Sequence, residues 1–200
     1  MLAEALKSQL AAYLGKIPQR VELSATLDNS DTAAEMWTLL EEVASLSGNV
    51  SLTKSSGSER APSFAVKRPG EETRVRFAGV PLGHEFNSFV LALLHVGGHP
   101  VRQTQAVIDQ IRRLTGPLHF ETYYSLSCQN CPDVVQALNL MSVLNPQVTH
   151  TAIDGALFQD EVESRGILAV PNVFLNGEPF AQGRMSLEEI LAKLDAGAAE

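Results

Sequence analysis

Long hydrophobic runs, basic clusters and spare cysteines are all missing from this 200-residue chain. The longest apolar stretch, Phe89 to Val96, is interrupted by His95 and falls far short of the roughly 20 residues a bilayer-spanning helix needs. Lys and Arg total 15 against 23 Asp and Glu, a formal charge of −8. No basic stripe is available to neutralise phosphates, which excludes nucleic acid as a partner. Residues Met1 to Gly15 space Leu2, Leu6, Leu10 and Leu14 four apart, with Glu4 and Lys7 between them. That pattern predicts an amphipathic helix and not the uncharged core of an export signal, so a reducing cytoplasm is the expected compartment. No G-x-G-x-x-G follows a strand, so no dinucleotide site is expected. With 44% hydrophobic residues, the chain can build one large or two small cores.

Only two cysteines are present, and they sit together as Cys128-Gln129-Asn130-Cys131 between an aromatic strand-like run and an amphipathic helix. Two intervening residues let the sulfurs meet across a first helical turn, a reversible dithiol/disulfide arrangement. The first sulfur then lies where unpaired N–H groups and the macrodipole favour thiolate over thiol, which can lower its pKa from about 8.5 to about 7. Two other readings compete. A purely structural disulfide closing so small a loop restrains the unfolded chain little. Half of a zinc site lacks its other half, because the five histidines (His84, His95, His99, His119, His150) are scattered singly.

The chain also repeats itself. A shift of 99 residues lays Val21–Leu27 over Phe120–Leu126, each run leading through a polar turn into a helix. The predicted helices cover Thr32–Leu46 and Pro132–Leu144, and short strands follow at Asn49–Leu52 and Val148–Ile153. An insertion near Ala156–Ser164 adds a short helix to the second half. Ala61–Val66 then resembles Val170–Leu175, each with a proline opening a strand. Asn176-Gly177 is a hairpin turn signal, Phe180–Gly183 the return strand, and Ser186-Leu187-Glu188-Glu189 opens a final helix. In the first half the return strand is Arg74–Gly79 and the closing helix Glu85–Val96. A helix over Gly97–Thr115 is expected to join the halves. Expected divisions are therefore 1–98, 99–116 and 117–200. The same shift puts Asn29 at the place of Cys128 and Thr32 at that of Cys131, so the first repeat lacks the sulfur chemistry.

This β-α-β plus β-β-α pattern, with CxxC after the first strand and a proline opening the third, resembles the thioredoxin/glutaredoxin fold. The whole chain is more specifically similar to the N-terminal domain of the flavoprotein component of bacterial alkyl hydroperoxide reductase. The segments that carry the likeness are 77–86, 121–139 and 166–174, and it covers essentially the full length. The resemblance implies an α/β architecture of two tandem thioredoxin-like folds, mixed β-sheets flanked by helices, with only the second active. It implies a C-terminal reductase portion that uses NADH and FAD to reduce the CxxC pair, and a peroxiredoxin whose disulfide the pair then reduces. Neither cofactor is expected to bind this chain. The small-residue tail Asp195–Glu200 reads as the start of a linker in a longer flavoprotein, which the family forms as a homodimer. The alternatives are a stand-alone protein disulfide oxidoreductase, against which Asn29 and Thr32 count, and a non-catalytic docking scaffold.

Site expectations follow residue by residue. Cys128 is the nucleophile and Cys131 the more buried resolving thiol. The resemblance implies a cis Val170-Pro171 peptide facing the cysteines, with the Val170 backbone free to pair with a substrate strand; Pro62 reads as an ordinary strand-opening proline. Gln129 and Asn130 are uncharged and adjust the reduction potential only slightly. The buried acid of thioredoxin falls at Thr122, which cannot ionise, so another group must move the proton. Tyr123, Tyr124 and Phe120 read as sheet core. Glu85 stands where the family carries an acid, with favourable interaction with a helix dipole as the simpler explanation.

Overall fold

The computed structural model describes residues 2–198. A first repeat is prefaced by α1 (Glu4–Leu14), which buries Leu10 and Leu14. It continues as β1 (Val21–Thr26), α2 (Asp31–Ser45), β2 (Val50–Lys54), β3 (Ser63–Lys67), β4 (Val75–Ala78), a 3-10 turn (Gly83–Glu85) and α3 (Phe86–Val96). After α4 (Gln105–Arg112), the second repeat runs β5 (Leu118–Tyr124), α5 (Cys131–Leu144), β6 (Val148–Asp154), α6 (Gln159–Ser164), β7 (Asn172–Leu175), β8 (Glu178–Gln182) and α7 (Leu187–Ala198). The local causes are visible in the residues. In β1 the alternate positions Val21, Leu23 and Ala25 are fully buried, as a strand with one core-facing side requires. In α2, Ala33, Met36, Leu40 and Val43 form one buried stripe at helical spacing. Asn176 and Gly177 both take positive φ, the backbone a tight β7–β8 hairpin needs.

The eight strands among the described residues belong to one sheet, in the order β2-β1-β3-β4-β6-β5-β7-β8. Within each repeat the first strand pairs parallel with the second and antiparallel with the third, which pairs antiparallel with the fourth. The repeats are then fused, since β4 pairs parallel with β6 from Val75↔His150 to Ala78↔Ile153. Two edges that would otherwise present unpaired N–H and C=O groups satisfy each other there. Burial follows the same join. The largest hydrophobic cluster, built on Phe64, Phe77 and Phe89 of the first repeat, extends across it to Tyr124, Cys131, Val135 and Ala152 of the second.

Three local expectations change. The joining helix occupies only Gln105–Arg112 of the expected span: Gly98 turns to positive φ after α3, Pro100 disfavours helix at His99, and Thr104 caps a new start. Ala61-Pro62 is cis, as are Gly116-Pro117 and Val170-Pro171, so Pro62 is not an ordinary trans strand opener. The tail from Asp195 is helical as far as Ala198, while Ala199 and Glu200 lie outside the described residues, as does Met1.

On the sheet face opposite α5 a charged cluster crosses the join. Arg60, before β3, bonds Glu161 of α6 through Nε (2.8 Å) and Nη2 (3.0 Å) and also pairs with Glu121 of β5. Arg165 reaches Glu121 at 3.0 Å, and the Tyr123 hydroxyl donates to Glu161 at 2.6 Å. These side chains are about four-fifths buried for Arg60 and Glu121, so losing one partner strands the others in low dielectric. Arg60→Ala is expected to cost about 2 kcal/mol in urea unfolding, and Arg60→Lys to recover less than half because an ammonium cannot bridge two carboxylates as a fork does.

Candidate active site

Each helix that follows the first strand of a repeat must satisfy the N–H groups of its opening turn. In α2 a hydroxyl does so: Ser30 Oγ accepts from the Ala33 N–H at 3.1 Å. In α5 a sulfur does so: the Cys131 N–H donates to Cys128 Sγ at 3.1 Å. Pro132, in the place of Ala33, has no N–H to satisfy. The two cysteines form a disulfide with Cα atoms 5.6 Å apart, Cys128 half-buried and Cys131 fully buried. Asp133 adds an acid to the same first turn, where its exposed carboxylate pairs with Arg184.

The cis Val170-Pro171 peptide faces this turn. Cys128 Sγ lies 3.9 Å from the Val170 carbonyl oxygen, so the residues at 128, 131, 170 and 171 converge. Gln129 and Asn130 are exposed on the outer flank, Asn130 as the residue before the helix, without a side-chain cap bond. A cleft of about 1100 Å³ between α3, α5 and α7 reaches Asp133 and Gln136 but neither cysteine, so the sulfur chemistry belongs to the open rim beside it.

Glu85 comes to the site from the first repeat. Its turn is pressed against the segment leading to the cysteines, with the His84 N–H donating to the Leu126 carbonyl at 3.1 Å. Gly83 has positive φ, and a Cβ there would meet that same carbonyl oxygen at 2.6 Å, so only glycine allows this approach. The Glu85 side chain is fully buried, and neither carboxylate oxygen has a hydrogen-bond partner. It stands at the N-cap of α3, as the helix-dipole reading requires, but inside the protein. Burial pushes its pKa up to about 7, and the nearby Ser88 hydroxyl, outside hydrogen-bond geometry, offsets little of that rise. The Tyr124 hydroxyl is likewise buried without a partner, and burial together with nearby Asp154 and Glu85 holds its proton tightly. Asp154 is itself raised by burial.

Thr122 is fully buried and tied into a neutral network: its Oγ1 meets His150 Nε2 at 2.8 Å, and His150 Nδ1 meets Asn139 Oδ1 at 2.7 Å. Burial lowers the His150 pKa to about 3, so this network does not titrate near neutrality. Phe120, Tyr123 and Tyr124 are sheet core. The sequence offered no pointer to Tyr124, the register partner of Asp154, as a neighbour of Glu85, because that meeting depends on the β4–β6 join. Glycine at position 79 marks the spot, since a Cβ there would lie 2.7 Å from Asp154 Cβ and 3.3 Å from the Tyr124 hydroxyl.

Residues 118–196 match the family model of the thioredoxin domain. With the repeat in front of it, the chain is of the tandem thioredoxin-like class with a CxxC disulfide. The alkyl hydroperoxide reductase protein AhpF of Pseudomonas putida is 59% identical over 198 residues, 99% of this chain and 38% of that protein. Two solved structures from Enterococcus faecalis are similar. The NTD_N/C domain of its AhpF superposes with TM-score 0.89 at 28% identity, over 97% of this chain and 100% of that one. A cysteine-to-alanine mutant of the same AhpF gives TM-score 0.88 at 30% identity, over 96% and 99%. The chain belongs to the family of the N-terminal domain of alkyl hydroperoxide reductase AhpF. It spans 38% of the length of the curated relative from P. putida. Among the described residues no helix is long and apolar enough to cross a membrane.

The buried carboxyl makes stability depend on pH. Glu85 is raised from 4.5 to about 7 in the fold, so the native state holds the proton more tightly than the unfolded chain. Its contribution is complete below pH 4.5 and is lost as pH rises through about 7. Glu85→Gln, which keeps a neutral side chain at all pH values, is expected to flatten the decline in unfolding free energy between pH 5 and 8 by about 2–3 kcal/mol. Equal slopes for both proteins contradict a buried titrating carboxyl.

Proposed function

We propose that this chain is a dithiol/disulfide oxidoreductase module that takes two electrons from an NADH- and FAD-dependent reductase portion and passes them to the disulfide of a peroxiredoxin. The observation that carries the reading is the Cys131 N–H donating to Cys128 Sγ, which stabilises a thiolate on the half-exposed sulfur. Residues 1–98 act as the redox-inactive fold, 99–116 as the connector and 117–200 as the active fold. The flavin portion belongs to the rest of the longer relatives, through which a homodimer forms, in the cytoplasm. Neither helix-opening turn of this chain, Leu27-Asp28-Asn29-Ser30 or Ser125–Asn130, has the glycines a dinucleotide pyrophosphate needs.

The steps balance on the two sulfurs. The Cys128 thiolate attacks the partner's disulfide, forming a mixed disulfide and releasing one partner thiolate. Cys131 then loses its proton and attacks Cys128 Sγ. The second partner thiolate leaves, and the intramolecular disulfide seen here is formed. Two electrons and two protons pass to the partner. The Val170 backbone and cis-Pro171 seat the incoming strand, with Gln129 and Asn130 on the opposite flank. Thr122 and His150 do not take the Cys131 proton; we assign that exchange to Glu85, the buried carboxyl on the first-repeat turn whose His84 N–H bonds the Leu126 carbonyl. The electron donor runs the same exchange in reverse, returning the dithiol.

The test uses chemically reduced chain, freed of reductant, mixed with oxidised peroxiredoxin. Cys128→Ser is expected to lower the rate of partner thiol release by about 10³-fold or more, as nucleophile removal does elsewhere. Cys131→Ser is expected to attack but not resolve, so that a 1:1 mixed disulfide accumulates on non-reducing gels. Undiminished reduction by the Cys128→Ser protein overturns the reading.

A further inference from the structure

Leu168 is 96% exposed, and the only other large hydrophobic side chain exposed among the described residues is Tyr13, at 50%. A lone surface leucine ordinarily needs no explanation. This one differs in how it is held. The segment from Gly166 to Pro171 is anchored at both ends: the Ile167 side chain is buried with its N–H on the Val162 carbonyl at 3.0 Å, and the buried Pro171 accepts from the Gly183 N–H at 2.9 Å. Just before it, Arg165 stacks 4.4 Å above the Phe174 ring and bonds Glu121. Gly166, at positive φ, turns the chain out of α6. Burying Ile167 puts its successor outward, so the leucine is displayed on a fixed support and loses little entropy when something covers it.

Its position says what covers it. The Val170 carbonyl is 3.9 Å from Cys128 Sγ, and Leu168 stands two residues earlier, within about 7 Å of Val170 along the chain. A peptide bonded to Cys128 and paired with the Val170 backbone, as in the exchange reading above, runs past this segment. The opposite flank, Gln129 and Asn130, is polar, exposed and uncharged. We propose that Leu168 receives an apolar side chain next to the reactive cysteine of the partner, so that the module selects disulfides with an apolar neighbour over those with an acidic one. This rests on the disulfide-exchange reading above and names its substrate preference.

Two disulfide-linked peptides that differ only in leucine or aspartate beside the cysteine test it, with hydroxyethyl disulfide as a probe that has no neighbour. Reduced wild-type chain is expected to favour the leucine peptide by about tenfold in kcat/KM, carried by KM, the scale typical of one apolar group in a fitted site. Leu168→Ser is expected to bring the two peptides within about twofold of each other, Leu168→Met to restore the preference, and neither to change the rate with hydroxyethyl disulfide. A wild type without preference, a preference that survives Leu168→Ser, or an equal loss on all three substrates overturns the proposal. Retained activity in Cys128→Ser instead overturns the exchange reading beneath it, so the two failures are distinct.

Discussion

The N–H groups at the start of α5 must be given to something, and the chain gives one of them to sulfur. The first repeat shows the alternative in the same molecule, with Ser30 Oγ filling the role for α2 and no cysteine within reach. A hydroxyl in that position only caps a helix. A sulfur there both caps it and gains a stabilised anionic form, since each hydrogen bond and the helix dipole act on the charged species far more than on the neutral thiol. Pro132 removes the competing donor one residue further in. What separates the repeat that carries the disulfide from the one without cysteines is therefore a handful of side chains at one helix start, on a backbone that the two share.

The repeat without cysteines nonetheless packs against the site. Pairing β4 with β6 makes one sheet of two and carries the first repeat's aromatic core up to Cys131. It also delivers the turn Gly83–Glu85 against Leu126, two residues before Cys128. The acid that thioredoxin keeps beneath its cysteines is replaced here by Thr122 in an uncharged network with His150 and Asn139. A buried carboxyl arrives from the neighbouring repeat instead. The repeat without cysteines thus contributes both packing and a buried ionisable group beside the helix that carries the disulfide.

Much of this was legible in the residues. The 99-residue repeat located both helix-opening turns, and the predicted α2 and α5 boundaries fall within a residue of those observed, because strong 3.6-residue periodicity and clear turn residues mark them. The CxxC and its geometry were legible for the same local reasons. What was not legible is tertiary. Edge pairing between β4 and β6 is made by backbone groups that every sequence shares, so nothing in Arg74–Gly79 or Val148–Ile153 announced it. The burial of Glu85 and its approach to Tyr124 depend on that join, while the network at Thr122 depends on the packing of α5 over β5 and β6. The cis geometry at Pro62 and the shortened α4 are smaller departures of the same kind, set by neighbours rather than by local preference.

The exchange chemistry turns on the charge state of one sulfur. Iodoacetamide alkylation of Cys128, followed against pH in the reduced Cys131→Ser protein so that a single thiol reports, measures it directly. A midpoint near pH 7, well under the value of about 8.5 for free cysteine, is the predicted result. A midpoint at about 8.5 contradicts the claim that the α5 N-terminus activates this thiol.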